Sequence, residues 1–192
     1  ETGDNDNLDV TAQDFVLKSG TAETVTLAVT NFDAQISGGF NLSATSSSTV
    51  NLTNKDGDGD QVSAGDKAIS VTGAGTVTIA VTGATSDINV NDGITTASGA
   101  IDLDADNDVI FASSGDVTST SGNVSVTADS NGDASGSGGA LTMTDDTLID
   151  AGSGTITLEA DEAVTLGGLL TTNSSATAVT LTSASGGIVD GG

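Results

Sequence analysis

Short runs of alternating apolar and polar residues recur along the chain, and small polar residues separate each run from the next. A typical run places one polar residue between two aliphatic ones, as in Thr76-Val77-Thr78-Ile79. Because successive side chains of a strand point to opposite faces, this alternation predicts short strands with one buried face. Gly, Asn, Asp and Ser between the runs are typical of turns. No useful length of the chain has the spacing of an amphipathic helix.

The same motif returns at a nearly constant distance of roughly 23–27 residues, which indicates a repeat protein. The first apolar residues of the motif are Val25, Val50, Val77, Ile101, Val124, Ile156 and Val179. One gap is longer, and we attribute the excess to an inserted loop at 130–138. A second apolar pair follows about ten residues later in several repeats, namely Ile88 and Val90, Val109 and Phe111, and Val164 and Leu166. A third apolar anchor is expected at Ile94, Val117, Leu148 and Leu170.

Three short strands in each repeat predict an all-β fold, a parallel β-helix (β-solenoid) of about seven coils. We expect a single solenoid domain over 1–192, with an N-terminal strand or cap within 1–22. Val25 is then expected to stack on Val50, and Val50 on Val77, in apolar columns along the axis. The absence of Pro fits, because every strand N–H is needed by a neighbouring coil. A β-sandwich is the alternative, but a hairpin signal occurs only at Asn131-Gly132, inside the predicted insert.

The charge of the chain limits its partners. Asp and Glu number 27 against three Lys, the net charge is −24, and Arg, His, Cys, Trp, Tyr and Pro are all absent. Nucleic-acid phosphates and anionic membranes need Lys and Arg, so we expect no nucleic-acid partner. No apolar run approaches the roughly 20 residues of a membrane-spanning helix, so we expect no membrane insertion. The abundance of Asp, Thr, Ser and Gly favours an extracellular location.

Several repeats resemble those of filamentous haemagglutinin-type exoproteins, which are large secreted adhesins. The resemblance is clearest over 67–192 and is carried by three stretches, Gly99–Ala105, Gly154–Ala160 and Ala178–Asp190. Each begins or continues with a Gly-x-Ile-x-Leu or Ala-Val-Thr-Leu pattern. The resemblance implies a right-handed parallel β-helix, secretion across an outer membrane, and an adhesive or matrix role with cell-surface or glycan ligands.

One segment has the composition of a cation site. Asp56, Asp58 and Asp60 alternate with glycines, and Asp66 follows. Ca²⁺ takes six to eight oxygen ligands, and glycine allows several carboxylates to converge on it. The segment therefore predicts a calcium site that stabilises the solenoid, and a solvated acidic turn between coils is the alternative. Weaker candidates for a metal site have the same spacing without glycine, namely Asp104, Asp106 and Asp108.

We expect an extracellular structural or adhesive protein that self-associates into filaments or fibres, because the open ends of a solenoid offer unpaired strand edges. Recurrent Thr-x-Thr pairs leave an ice-binding module as an alternative, and a glycan-binding module of a larger adhesin is another. A polysaccharide-active enzyme is the least favoured reading. β-Helices do host such enzymes, but Ser and Thr have no His partner here for nucleophilic work. We therefore predict no enzymatic activity and no catalytic residue.

Overall fold

Twenty short strands follow one another along the residues that the computed structural model describes. Those residues are 67–71, 74–129 and 138–192, together with the strands at 7–12, 15–18, 31–36, 40–45 and 50–52. The strands are β1 (Asn7–Ala12), β2 (Phe15–Lys18), β3 (Asn31–Ile36), β4 (Phe40–Thr45), β5 (Val50–Leu52), β6 (Lys67–Val71), β7 (Val77–Thr82), β8 (Ile88–Val90), β9 (Gly93–Thr96), β10 (Ile101–Ala105), β11 (Val109–Phe111), β12 (Val117–Ser119), β13 (Val124–Ala128), β14 (Leu141–Met143), β15 (Leu148–Asp150), β16 (Ile156–Ala160), β17 (Val164–Leu166), β18 (Gly168–Leu170), β19 (Val179–Ser183) and β20 (Ile188–Asp190).

The strands form three sheets, and every neighbouring pair is parallel. Sheet A has the order β1-β3-β6-β9-β12-β15-β18, and sheet B has the order β2-β4-β7-β10-β13-β16-β19. Sheet C has the order β5-β8-β11-β14-β17-β20. From β3 onward, each coil contributes one strand to each sheet in turn. This arrangement confirms the predicted all-β parallel solenoid with three strands per coil.

Five complete coils run from β6 to β20 among the described residues, and the strands before β6 extend the same sheets. The coil count therefore differs slightly from the predicted seven. The described residues include no helix that is long and apolar enough to cross a membrane.

The core consists of aliphatic columns that run along the axis. In sheet B, Val77, Ile101, Val124 and Ile156 are paired in register from coil to coil and are at most 1% exposed. Each side chain covers its equivalent in the coil before, and burial of one such side chain contributes about 1.5–3 kcal/mol. Because apolar and polar residues alternate along each strand, the apolar side chains lie on the inward side of the sheet and the polar ones on the outward side.

The expected stack of Val50 on Val77 is wrong. Val50 lies in sheet C, where it pairs with Ile88, and Phe40 of sheet B is the residue that pairs with Val77. The run around Val50 has the same local pattern as that around Val77, so local sequence does not distinguish the two sheets. Val25, the other member of the expected stack, lies outside the described residues.

Two of the expected third anchors are displaced by one residue. The inward position of sheet A passes from Val117 to Ile149 and then to Leu169. Leu148 is half-buried instead of fully buried, and Leu170 faces outward with 49% of its surface exposed. A shift of one residue moves a side chain to the other face of its strand, so Leu148 and Leu170 exchange places with their neighbours.

Glycine is required at the corner that leads from sheet A to sheet B. A Cβ atom at Gly99, Gly122 or Gly154 would lie 1.7, 1.9 or 2.2 Å from the glycine carbonyl oxygen one coil earlier. The buried hydroxyls of Thr96 and Ser119 donate to the Gly99 carbonyl oxygen at 2.7 and 3.0 Å. The Gly-x-aliphatic pattern of the sequence therefore marks a tight corner where successive coils touch through their backbones.

The connection between β13 and β14 is much longer than its equivalents. It covers 129–140, whereas the same corner takes only 106–108 and 161–163 in the coils on either side. The insert predicted at 130–138 falls in this connection. Of the predicted insert, 130–137 lies outside the described residues.

Candidate functional site

The strongest predicted metal site belongs to the connection between β5 and β6. Asp56, Asp58, Asp60 and Asp66 all lie in 53–66, outside the described residues. The calcium site therefore stays a prediction. Within the part of the chain that the structure describes, no group of three or more carboxylates is placed so that it could hold a metal ion.

The weaker candidates for a metal site, Asp104, Asp106 and Asp108, lie in β10 and in the corner that follows it. Asp104 lies on the outward side of β10, while Asp106 and Asp108 follow the strand. Asp106 Oδ2 accepts a hydrogen bond from the Gly83 N–H at 2.6 Å. Asp108 Oδ1 accepts two bonds at 2.9 Å, from the N–H groups of the two residues that precede β14. Asp106 and Asp108 thus join neighbouring coils through peptide groups.

Other acidic residues at the corners also accept hydrogen bonds from the next coil. Asp87 Oδ1 accepts from Asn107 Nδ2 at 2.6 Å and from the Asp108 N–H at 3.2 Å. Asp116 Oδ1 accepts from the Leu148 N–H at 2.9 Å. Hydrogen bonds to an ionised acceptor contribute more than neutral ones, about 1.5–3 kcal/mol each. Much of the acidity at these corners therefore supports coil stacking.

Sequence reasoning missed this structural role of the carboxylates. A signal for it was present, since Asp87, Asp108 and Asp116 each stand directly before the first residue of a strand. An Asp in that position places its side chain beside peptide N–H groups that lie at the start of the equivalent strand one coil later, or just before it. This arrangement resembles the capping of turns by Asp elsewhere in proteins.

The surroundings of Asp104 raise its pKa above the ordinary value. Burial raises the pKa of Asp104, the neighbouring charge of Asp102 raises the pKa further, and a hydrogen bond with Thr127 lowers it. The residues opposite Asp104 on the flanking strands are Ala80 and Thr127, and neither carries a positive charge. The ionised form of Asp104 therefore opposes folding.

The Thr-x-Thr pairs are distributed over different faces of the solenoid. Thr78, Thr157 and Thr180 share an outward column of sheet B, but the two coils between Thr78 and Thr157 carry other residues in that column. Thr118 lies in sheet A and Thr142 in sheet C. The described Thr residues therefore do not form one regular flat array of the kind that ice binding requires.

The last coil has a different surface from the coils before it. Val179 and Ile188 point inward, in register with Ile156 and Val164 of the previous coil. Ile156 and Val164 are fully buried, whereas Val179 is 40% exposed and Ile188 is 45% exposed. Val179 and Ile188 are exposed because no described strand follows β19 and β20 in sheets B and C.

Few charged residues lie in the last coil. Between Ala163 and Val189 the sequence contains no Asp, Glu, Lys or Arg. The previous coil carries Glu159, Asp161 and Glu162. Asp190, in β20, is the one charged side chain in 163–192.

Comparison with known proteins gives no relative for this solenoid: no protein-family model matches the chain, and neither a curated protein nor a solved structure matches it.

Proposed function

We propose that this chain is a structural module of an extracellular, adhesin-type surface protein and that its copies assemble into filaments. The observation that supports this most directly is the set of three parallel ladders, which continue in register from coil to coil. A solenoid of this kind is a rod whose stability is nearly a sum over neighbouring coils, so it extends along one axis. The likeness of its repeats to haemagglutinin-type exoproteins supports the adhesive role.

The outward surface suits a solvated extracellular rod. In sheet B from β7 to β19, the outward positions carry mainly Thr, Ser, Asp and Glu, and the inward positions carry mainly Val, Ile, Leu and Ala. A high density of negative charge keeps such rods apart laterally. Assembly along the axis is then favoured over side-by-side aggregation.

Calcium is part of the proposal. Asp56, Asp58, Asp60 and Asp66 would supply oxygen ligands, and a bound Ca²⁺ ion would reduce repulsion among the carboxylates of neighbouring coils. Coils are separated by about 4.8 Å, well within the roughly 8 Å over which salt screens charges. Screening by monovalent salt alone therefore leaves part of this repulsion in place.

Electron microscopy of the purified chain, with calcium and with chelator, tests the filament. We expect fibres with an axial repeat of roughly 34 Å, because sheets A and B hold seven strands each at about 4.8 Å spacing. A monodisperse monomer at every concentration and in both buffers would contradict filament formation.

The adhesive role has its own measurement. Beads coated with the chain should bind to a glycan array or to cell surfaces, and beads coated with a neutral protein of similar size serve as the control. A panel of polysaccharides incubated with the chain should yield no shortened products. Detection of a shortened product would contradict the structural proposal and indicate an enzyme.

A further inference from the structure

We propose that Asn173 is a site of N-linked glycosylation, an inference that rests on the extracellular location proposed above. The sequence contains four Asn-x-Ser or Asn-x-Thr triplets, which begin at Asn41, Asn51, Asn123 and Asn173. This triplet is the acceptor pattern for a sugar on the side-chain amide of asparagine. In a chain rich in Asn, Ser and Thr such triplets also arise by chance, so the fold has to distinguish an acceptor from a coincidence.

Three of the triplets belong to the strand ladders. Asn41 lies in β4, between β2 and β7, and Asn51 lies in β5 beside β8. Val124 and Ser125, which follow Asn123, lie in β13 between β10 and β16. An enzyme that modifies a peptide segment binds the backbone on either side of the acceptor, and a paired strand has that backbone engaged in ladder hydrogen bonds. These three triplets are therefore closed to an enzyme while the solenoid is folded.

The fourth triplet lies in a long corner between sheets A and B. The loop 171–178, which joins β18 to β19, has eight residues, whereas the equivalent corners at 97–100, 120–123 and 151–155 have four or five. The whole triplet from Asn173 onward belongs to this loop, and both of its serines are exposed. Exposed loops are where a folded chain reaches the active site of another enzyme.

Exposure at this corner recurs in coils that are covered on both sides. Ser98 and Ser121, in the corresponding corners of two inner coils, are exposed as well. The corner is thus exposed because it lies on the outside of the solenoid, and the loop 171–178 is at least three residues longer than the equivalent corners. A further coil stacked on β18, β19 and β20 would leave this loop at the surface.

Hydrogen bonds hold the Asn173 side chain in a defined turn. Asn173 Oδ1 accepts from the Ser175 N–H at 2.9 Å, and Asn173 Nδ2 donates to the Ser153 carbonyl oxygen at 3.1 Å. The hydroxyl residue of the triplet is thereby folded back towards the amide that takes the sugar. An amide nitrogen carries two hydrogens, so a sugar can replace one of them while the other keeps the bond to Ser153.

Asn123 differs from Asn173 in what its side chain does, although it is exposed too. Asn123 Oδ1 accepts from the Thr155 N–H of the next coil at 3.0 Å. The carbonyl oxygen of Asn123 accepts from the Ile101 N–H of the previous coil at 2.9 Å. Asn123 therefore ties three coils together, and it serves as the matched control for Asn173.

The transfer requires a glycosyltransferase and a sugar activated as a diphosphate ester, on a nucleotide or on a lipid. Asn173 Nδ2 forms a bond to C1 of the sugar, while the bond from C1 to the phosphate oxygen breaks and leaves its electron pair on that oxygen. The proton from Nδ2 passes to a base of the transferase. Negative charge develops on Asn173 Oδ1 as this proton leaves, and the Ser175 N–H that already bonds to Oδ1 stabilises it.

A sugar at Asn173 would supply the hydration that charge supplies in the other coils. Residues 163–189 contain no charged side chain, whereas the coil before them carries Glu159, Asp161 and Glu162. N-linked sugars are bulky and solubilising. The coil that lacks carboxylates is thus the coil that presents the accessible acceptor.

Glycosylation of the folded chain by a purified transferase tests the site. The chain is incubated with UDP-glucose and a soluble enzyme that modifies Asn-x-Ser/Thr, and the product is analysed by intact mass and peptide mapping. We expect one hexose, at Asn173, added at least about tenfold faster than any at Asn123, because β13 has to open before its triplet is accessible. Asn173→Gln and Ser175→Ala should abolish the addition, and Asn123→Gln should leave it unchanged, with circular dichroism as the check on folding.

Synthetic peptides that span each triplet show whether the enzyme accepts both sequences when they are unfolded. Equal rates at Asn123 and Asn173 in the folded chain, or a bare Asn173 in a chain whose peptide is modified, would overturn the site. The chain isolated from its native host should carry a sugar at Asn173, a single hexose from a nucleotide donor or an oligosaccharide from a lipid donor, and a bare Asn173 there would overturn the modification. Fibre formation is measured separately on the unglycosylated chain, so fibres without a sugar would overturn only the glycosylation, and a sugar without fibres would overturn only the filament.

Discussion

Replacement of Gly122 by alanine tests one of the close backbone contacts between coils. The added Cβ atom would lie 1.9 Å from the Gly99 carbonyl oxygen and 2.3 Å from the Gly99 carbonyl carbon. Ordinary contact between such atoms needs at least about 3.4 Å. Both atoms belong to the backbone of the previous coil, so neither can move aside without opening the ladder.

The loss of stability follows from the interactions that a displaced Gly99 carbonyl group would break. The Gly99 carbonyl oxygen accepts hydrogen bonds from the buried hydroxyls of Thr96 and Ser119. Loss of two such bonds costs about 2 kcal/mol, and overpacking a close contact adds about 1–3 kcal/mol. We therefore expect Gly122→Ala to lower the free energy of unfolding by about 3–5 kcal/mol, which corresponds to about 6–20 °C in Tm for a chain of this length.

Gly168→Ala is the matched control for this substitution. There the nearest atom to an added Cβ is Leu148 Cδ1 at 3.1 Å, the end of a flexible side chain. Thermal unfolding followed by circular dichroism should show a large loss for Gly122→Ala and a small one for Gly168→Ala. Equal Tm values for Gly122→Ala and the unsubstituted chain would refute the backbone contact at this corner and the register that produces it.

Three further predictions concern the acidic residues and the core. Asp104→Asn should raise Tm at pH 7, because the raised pKa of Asp104 means that its ionised form costs stability. The gain should shrink as the pH falls through the raised pKa and should vanish below the ordinary pKa of 3.8, where Asp104 is protonated in the folded and the unfolded chain. A gain that persists in acid would contradict this cause. Phe111 is fully buried, whereas the neighbouring Ile110 is 38% exposed. Phe111→Ala should therefore lower the free energy of unfolding by about 3–5 kcal/mol in a denaturant titration. Ile110→Ala, the control, should change it by less than about 0.5 kcal/mol. Calcium should raise Tm in a calorimetric scan, and chelator should lower it. A double variant, Asp58→Asn with Asp60→Asn, should lose this response. If calcium does not shift the Tm of the unsubstituted chain, calcium is not part of the proposed function.

The sequence determined the strand type, the number of strands in each coil and most of the core of this protein. Alternation of apolar and polar residues is local, so it identifies inward residues such as Ile101 and Val124 without knowledge of their neighbours. Recurrence at a constant spacing then implies that equivalent residues stack. Because the strands of successive coils repeat in the same direction, the parallel arrangement followed as well.

Only the tertiary structure decided which residues share a column where the local pattern is ambiguous. Leu148 and Ile149 are adjacent aliphatic residues, and the ladder with β12 turns Ile149 inward. Val50 has the same local pattern as Val77, and pairing with Ile88 places it in a different sheet. Register is set by hydrogen bonds between residues more than twenty positions apart, and no short stretch of sequence contains that information.

The same reason explains what was missed at the candidate sites. Asp106 and Asp108 have the spacing of metal ligands in the sequence, but their partners are peptide N–H groups of neighbouring coils, which only the folded chain brings near. Sequence identified the inward residues and the acidic corner residues, and the stacking of coils along the axis decided which groups each of them contacts.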